Sequence, residues 1–193
     1  TTEIYTLSLH DALPIYFSII DPTVRTLGSI APKGSEVSVI ATSNTVRRSL
    51  YLRKLFRYEN LRRITQKACP LFVPIIEEGI WEGEIVDAVV RYYLAEINRM
   101  EPDYLILGCT HYPFIRKVIE SSISRKTLLI DPADFILVDL INWIGEIDGE
   151  ESRVTYYVSG NPESFQRVLK RYFQREGDVV PVDLVNERIT VKR

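Results

Sequence analysis

From Tyr16 onward, short apolar runs take turns with longer stretches in which apolar residues recur three or four positions apart. The first pattern predicts buried strands and the second predicts amphipathic helices. Residues 17–20 are a brief apolar run that stops at Asp21-Pro22. Residues 37–41 (VSVIA) are β-branched and predict a strand, and the polar residues 42–45 (TSNT) then open a helical pattern through Val46, Leu50 and Leu55. Residues 71–76 (LFVPII) form another strand-like run, interrupted by Pro74 and closed by Glu77-Glu78-Gly79. Ile85, Val89, Tyr93 and Ile97 recur every fourth residue, which marks a long helix. Residues 104–107 (YLIL) predict a strand that ends at Gly108, with Pro113 where the next helix begins. A further strand at 128–130 leads to Asp131-Pro132, an N-cap followed by a first-turn proline. Strands at 154–158 and 179–185 flank a helix capped by Asn161-Pro162.

Such alternation predicts an α/β fold with a largely parallel sheet. A boundary falls near residues 131–149, where the acidic loop EIDGEE (146–151) separates a longer block from a shorter one. The opening residues 1–15 (TTEIYTLSLHDALPI) have weak periodicity and resemble a translated sequencing-adapter read-through. They are treated as non-native and excluded from the fold, which leaves His10 and Asp11 without function.

Composition narrows the function classes. Of the 193 residues, 46% are apolar and 26% charged, an ordinary soluble balance. With 24 basic and 26 acidic side chains the net charge is -2, so no basic excess points to nucleic acid. Arg47, Arg48, Arg53, Lys54 and Arg57 alternate with Leu50, Leu52, Leu55 and Phe56, as on the wet face of a helix. No apolar run approaches the ~20 residues that span a bilayer, and no segment is ordered like a signal peptide. The cytoplasm is the expected location, with Cys69 and Cys109 as free thiols. Two cysteines and two histidines are too few for an ordinary zinc site, so no metal is expected.

In open α/β sheets ligands bind beyond the carboxyl ends of the strands. That rule selects residues 42–45, 74–79 and 108–113. The last, Gly108-Cys109-Thr110-His111-Tyr112-Pro113, places a thiol, a hydroxyl and an imidazole within three residues at a strand-to-helix turn. A helix beginning at Pro113 would aim free N–H groups at the turn, favouring an anion and lowering the Cys109 pKa with help from His111. A thiolate there would serve as a base toward a carbon acid or as a nucleophile. The same residues also suit a small buried thiol beside a turn histidine.

The sequence LILGCTHYPFI at 105–115 closely resembles the C-terminal signature of glutamate racemases. VIATSNTVRRSLY (39–51), ACPLFVPIIEEG (68–79) and YVSGNPESF (157–165) resemble further segments of that family, in the same order and spacing. The resemblance implies a parallel-sheet, three-layer Asp/Glu racemase-like domain at 16–131, and at 132–193 part of a second, incomplete α/β domain. It implies a racemase that interconverts L- and D-glutamate without cofactor, supplying D-glutamate for peptidoglycan. In the family two cysteines flank the substrate: one, as thiolate, removes the α-proton and the other, as thiol, returns a proton to the opposite face. Cys109 matches the second cysteine, His111 the histidine that assists it, and Glu77 the acid behind the histidine, with Glu78 as a neighbouring alternative. Thr42, Thr45, Thr110 and His111 match substrate-binding positions. Glutamate is the implied partner, with a homodimer possible for the full-length protein.

The family's Asp-Ser, Tyr-Gly and Cys-Asn-Thr motifs, the last carrying its first catalytic cysteine, do not occur here. Cys69 falls in the Ala-Cys-Pro segment, which is not catalytic in the family, and reads as a buried structural thiol. The resemblance therefore implies an N-terminally truncated chain, short of roughly ninety residues or about one domain of ordinary size, and inactive alone. An aspartate- or hydantoin-type racemase and a non-catalytic amino-acid-binding module of the same fold are the alternatives.

Overall fold

The computed structural model describes residues 17–145, 154–174, 177–185 and 188–191; the adapter-like segment 1–15 lies outside them. Phe17–Gly145 forms one unit, and the described residues of Glu146–Arg193 belong to another.

In the first unit, helix α1 (Ile20–Ile30) precedes strand β1 (Ser35–Ala41), which leads into the short helices α2 (Ser43–Arg47) and α3 (Leu50–Leu55). Ser49, with φ of 52°, breaks the predicted continuous helix between them. Strand β2 (Leu61–Ala68), helices α4 (Phe72–Glu77) and α5 (Glu84–Met100), and strand β3 (Tyr104–Gly108) follow. A 3-10 turn (Tyr112–Ile115), helix α6 (Arg116–Ser122), strand β4 (Leu128–Ile130) and helix α7 (Pro132–Ile144) complete it. The four strands are parallel, in the order β2-β1-β3-β4.

Successive side chains of a strand face opposite sides of the sheet, and here each side meets helices. Ile40, Leu105 and Leu107 join a core with Phe72, Val86, Val90, Leu94, Ile97 and Ile119. Val37, Val39 and Ile106 join the other, with Leu27, Tyr51 and Leu55. The result is the three-layer arrangement. Helix α7 stays with this unit: Phe135 packs against the second core, and Arg25 on α1 pairs with Asp139 at 2.9 Å.

Two runs that read as strands are not strands. Residues 72–76 lie in α4, with Leu71 as its N-cap, and the preceding strand is β2, whose charged face hides its character. Pro74 fits because it is the third residue of α4, where a backbone N–H has no partner within the helix. Likewise the run at 17–20 leads into α1, with Pro22 in its first turn. Edge strand β2 is anchored through Arg62 and Arg63, which both pair with the buried carboxylate of Glu36.

In the second unit, β5 (Thr155–Val158), helix α8 (Pro162–Val168) with a π turn at Leu169–Phe173, β6 (Asp178–Val185) and β7 (Arg188–Val191) form a small α/β layer. Strand β5 pairs with β6 in parallel, and β7 adds an antiparallel edge that the sequence pattern does not predict. Leu169 and Val182 are buried, whereas Val154, Tyr157 and Phe173 remain exposed. No helix among the described residues is long and apolar enough to cross a membrane.

Candidate active site

The site is built by strand register. Ala41 at the end of β1 pairs with Gly108 of β3 on one side and with Ala68 of β2 on the other. The loops that follow these three residues therefore leave the same edge of the sheet together.

After Ala41, Thr42 caps α2: its hydroxyl accepts from the Thr45 N–H at 3.4 Å and lies 3.1 Å from the Thr45 hydroxyl. After Gly108 comes Cys109, half-buried, with its sulfur 4.0 Å from Nδ1 of His111. The other ring nitrogen of His111 is 3.2 Å from Oε1 of Glu77, the last residue of α4. A carboxylate at Nε2 favours the proton there, which leaves Nδ1 free to accept from the thiol. Thr42, Thr45, Cys109, Thr110, Tyr51 and Asp131 share the wall of a cavity of about 300 Å3. His111 and Glu77 stand behind Cys109 rather than on that wall.

Cys109 differs electrostatically from expectation. Burial raises its pKa above the ordinary thiol value, and this outweighs the lowering by the His111 and Tyr112 N–H groups directed at it. The element that follows the loop begins as a four-residue 3-10 turn at Tyr112 rather than as the expected α-helix. Cys69 is fully buried, and desolvation pushes its thiol up to about 12. Its carbonyl accepts from the Tyr112 hydroxyl at 3.1 Å, tying the turn that bears His111 to the Cys69 loop.

Tyr51 and Asp131 are cavity residues that the motif reading passes over. Tyr51 lies at the end of the threonine segment, and Asp131 shows in sequence only as a helix cap. A larger groove of about 530 Å3, between β2 and α5, lies along Lys67, Tyr92, Glu96 and Arg99 and includes neither threonine loop nor Cys109. Among the described residues no group of three or more His, Cys, Asp or Glu side chains could hold a metal ion.

The chain is 34% identical over 177 residues to a glutamate racemase from Geobacter metallireducens, covering 88% of this chain and 65% of that protein. It is 36% identical over 160 residues to one from Aquifex pyrophilus, covering 83% and 60%. A solved glutamate racemase isoform from Bacillus anthracis superposes with a TM-score of 0.80 at 25% identity, over 91% of this chain and 68% of that one. The chain is a homologue of the glutamate racemases. A further glutamate racemase structure, from Francisella tularensis in complex with D-glutamate, has a TM-score of 0.71 at 28% identity and covers 86% and 62%. No family profile matches the chain. The chain thus spans 60–65% of the length of the curated glutamate racemases described. Of its racemase-like segments, 39–51, 68–79 and 105–115 converge around the cavity or directly behind it.

Proposed function

We propose that this chain provides the Cys109 side of a glutamate racemase site working by proton transfer between thiols, without cofactor. The observation that carries the reading is the line Glu77–His111–Cys109, which ends at a cavity wall bearing three threonines. In the reaction the Cys109 thiolate takes the α-proton of one enantiomer, or the thiol gives a proton to the carbanion formed from the other. His111 holds the proton that leaves Cys109, and Glu77 stabilises the imidazolium that results. The hydroxyls of Thr42, Thr45 and Thr110 suit a substrate carboxylate. The product D-glutamate would feed peptidoglycan synthesis in the cytoplasm.

Inversion needs a second acid on the far face of the α-carbon. Within these 193 residues the only other thiol is Cys69, which is fully buried and off the cavity wall. We therefore expect this polypeptide to exchange the α-proton of glutamate through Cys109 with retention, and to convert little of one enantiomer into the other. Incubation with L- and D-glutamate in deuterium oxide, read by mass spectrometry and chiral chromatography, tests this. Deuterium uptake lost in Cys109→Ala supports the proposal. Uptake that persists in that variant, or its absence from the folded wild-type chain at saturating glutamate, overturns it.

A further inference from the structure

We infer that the Tyr51 hydroxyl is a substrate contact of this site, donating a hydrogen bond to a carboxylate oxygen of the bound amino acid; the inference rests on the racemase reading above. Tyr51 sits in α3 and is only 3% exposed. Its ring lies over Gly108, where an added Cβ would come within 3.1 Å of ring carbon Cε2. The tyrosine is therefore seated on the residue immediately before Cys109, and it lines the same cavity.

Its hydroxyl has no hydrogen-bond partner among the described residues. The other buried tyrosine of the site, Tyr112, donates to the Cys69 carbonyl. Among those residues the single fully buried side-chain nitrogen or oxygen without a partner is Asn98 Oδ1. The Tyr51 hydroxyl accordingly keeps its access through the cavity. A hydroxyl that opens on the cavity and is not engaged by the described residues is free to donate to an acceptor on a ligand there.

Charge defines what the hydroxyl offers. Desolvation, then the neighbouring Asp131 and Cys109, raise the phenol pKa, so at neutral pH it keeps its proton and serves as a donor rather than a base. The rest of the polar wall is mainly of the same kind: Thr42, Thr45 and Thr110 present hydroxyls, and Cys109 a thiol. The carboxylate there, Asp131, already accepts from the Ala133 N–H at 3.0 Å. Apart from Asp131, whose other carboxylate oxygen lies 3.9 Å from the Arg116 guanidinium, these groups are neutral donors that suit an anionic oxygen, and a carboxylate is the acceptor that an amino-acid substrate brings.

The test is Tyr51→Phe in the full chain, which removes the hydroxyl and keeps the ring. Calorimetric titration with L- and D-glutamate should show Kd raised about tenfold or more, as for loss of a hydrogen bond to a charged group. The thermal midpoint and the pH dependence of Cys109 alkylation without ligand should stay in place. Unchanged glutamate affinity in the variant overturns the inference and leaves the racemase reading standing. Absence of glutamate binding by the wild-type chain overturns the racemase reading, and the inference with it. A shifted Cys109 alkylation profile with unchanged Kd assigns the hydroxyl to the sulfur instead and also overturns it. Wild-type chain carrying 13Cζ-tyrosine gives an independent reading should the variant not fold. Glutamate is expected to move one buried tyrosine resonance, and no movement at saturation, with binding shown by calorimetry, counts against the contact.

Discussion

Glu77 and His111 come from different helical turns, yet Oε1 of the first lies 3.2 Å from Nε2 of the second. The contact fixes the imidazole so that its other nitrogen faces Cys109 at 4.0 Å. A carboxylate in this position acts on the sulfur only through the ring between them. Glu77→Ala should slow α-proton exchange about tenfold, less than the ~10²–10⁴ given by groups that transfer the proton directly. The double variant with His111→Ala should be no slower than His111→Ala alone, because the two residues act in series. Multiplying losses in exchange rate would show that Glu77 acts elsewhere.

The two thiols should be distinguished by iodoacetamide. Both are raised by burial, but Cys109 is half-exposed whereas Cys69 is fully buried and shifted to about 12. Cys109 should label much faster near neutral pH, and its rate should keep climbing past pH 9.0, the ordinary thiol value. Both native pKa values lie above those of the unfolded chain. Their contribution to stability is therefore present at neutral pH and fades as pH rises through the native values, near 12 for Cys69. Peptide mapping after timed alkylation checks the order, and faster labelling of Cys69 would contradict it.

Gly108 should tolerate no side chain. An added Cβ would lie 2.9 Å from Ala41 Cβ and 3.0 Å from the Ile40 carbonyl oxygen, as well as against the Tyr51 ring. Two of these neighbours belong to the adjacent strand and cannot swing aside. Gly108→Ala should cost about 1–3 kcal/mol, the usual range for overpacking. Urea denaturation measures it, and an unchanged midpoint would show that the sheet edge is looser than described.

The second unit should be cut before the first under limited proteolysis. Two large cores back the Phe17–Gly145 sheet, while only Leu169 and Val182 are buried hydrophobics among the described residues after Gly145. With burial worth about 25 cal/mol per Å2 of apolar surface, the smaller layer opens at lower free energy. Mass mapping should place early cuts after Gly145. Equal resistance of both units would show that the smaller one is stabilised by more than its own packing.

The sequence pattern reveals the central strands because both of their faces are buried, which favours the near-continuous apolar runs at 37–41 and 104–107. All seven residues of β1 are buried, and the same reason makes YLIL unmistakable in β3. Strand β2 escapes notice because its edge position lets Arg62 and Arg63 stay partly in water while pairing with Glu36. LFVPII misleads in the opposite way: a short apolar run does not distinguish strand from buried helix. Cys109, Thr110 and His111 are legible as neighbours in one loop. Glu77 is legible only through family resemblance, since its approach to His111 depends on how α4 packs. The raised Cys109 pKa is not legible, because a loop sequence does not reveal how deeply packing buries the thiol.

The pairing of Ala41 with Gly108 has a mechanical consequence. One residue beyond that pair, on each strand, the chain reaches Thr42 and Cys109. The strand ends from which these residues leave are therefore held a single ladder spacing of about 4.8 Å apart. Twisting or breathing of the sheet carries both strand ends as one part. On the proposed reading, the threonine side that would hold a ligand and the thiol that would react with it thus share a stiff mount.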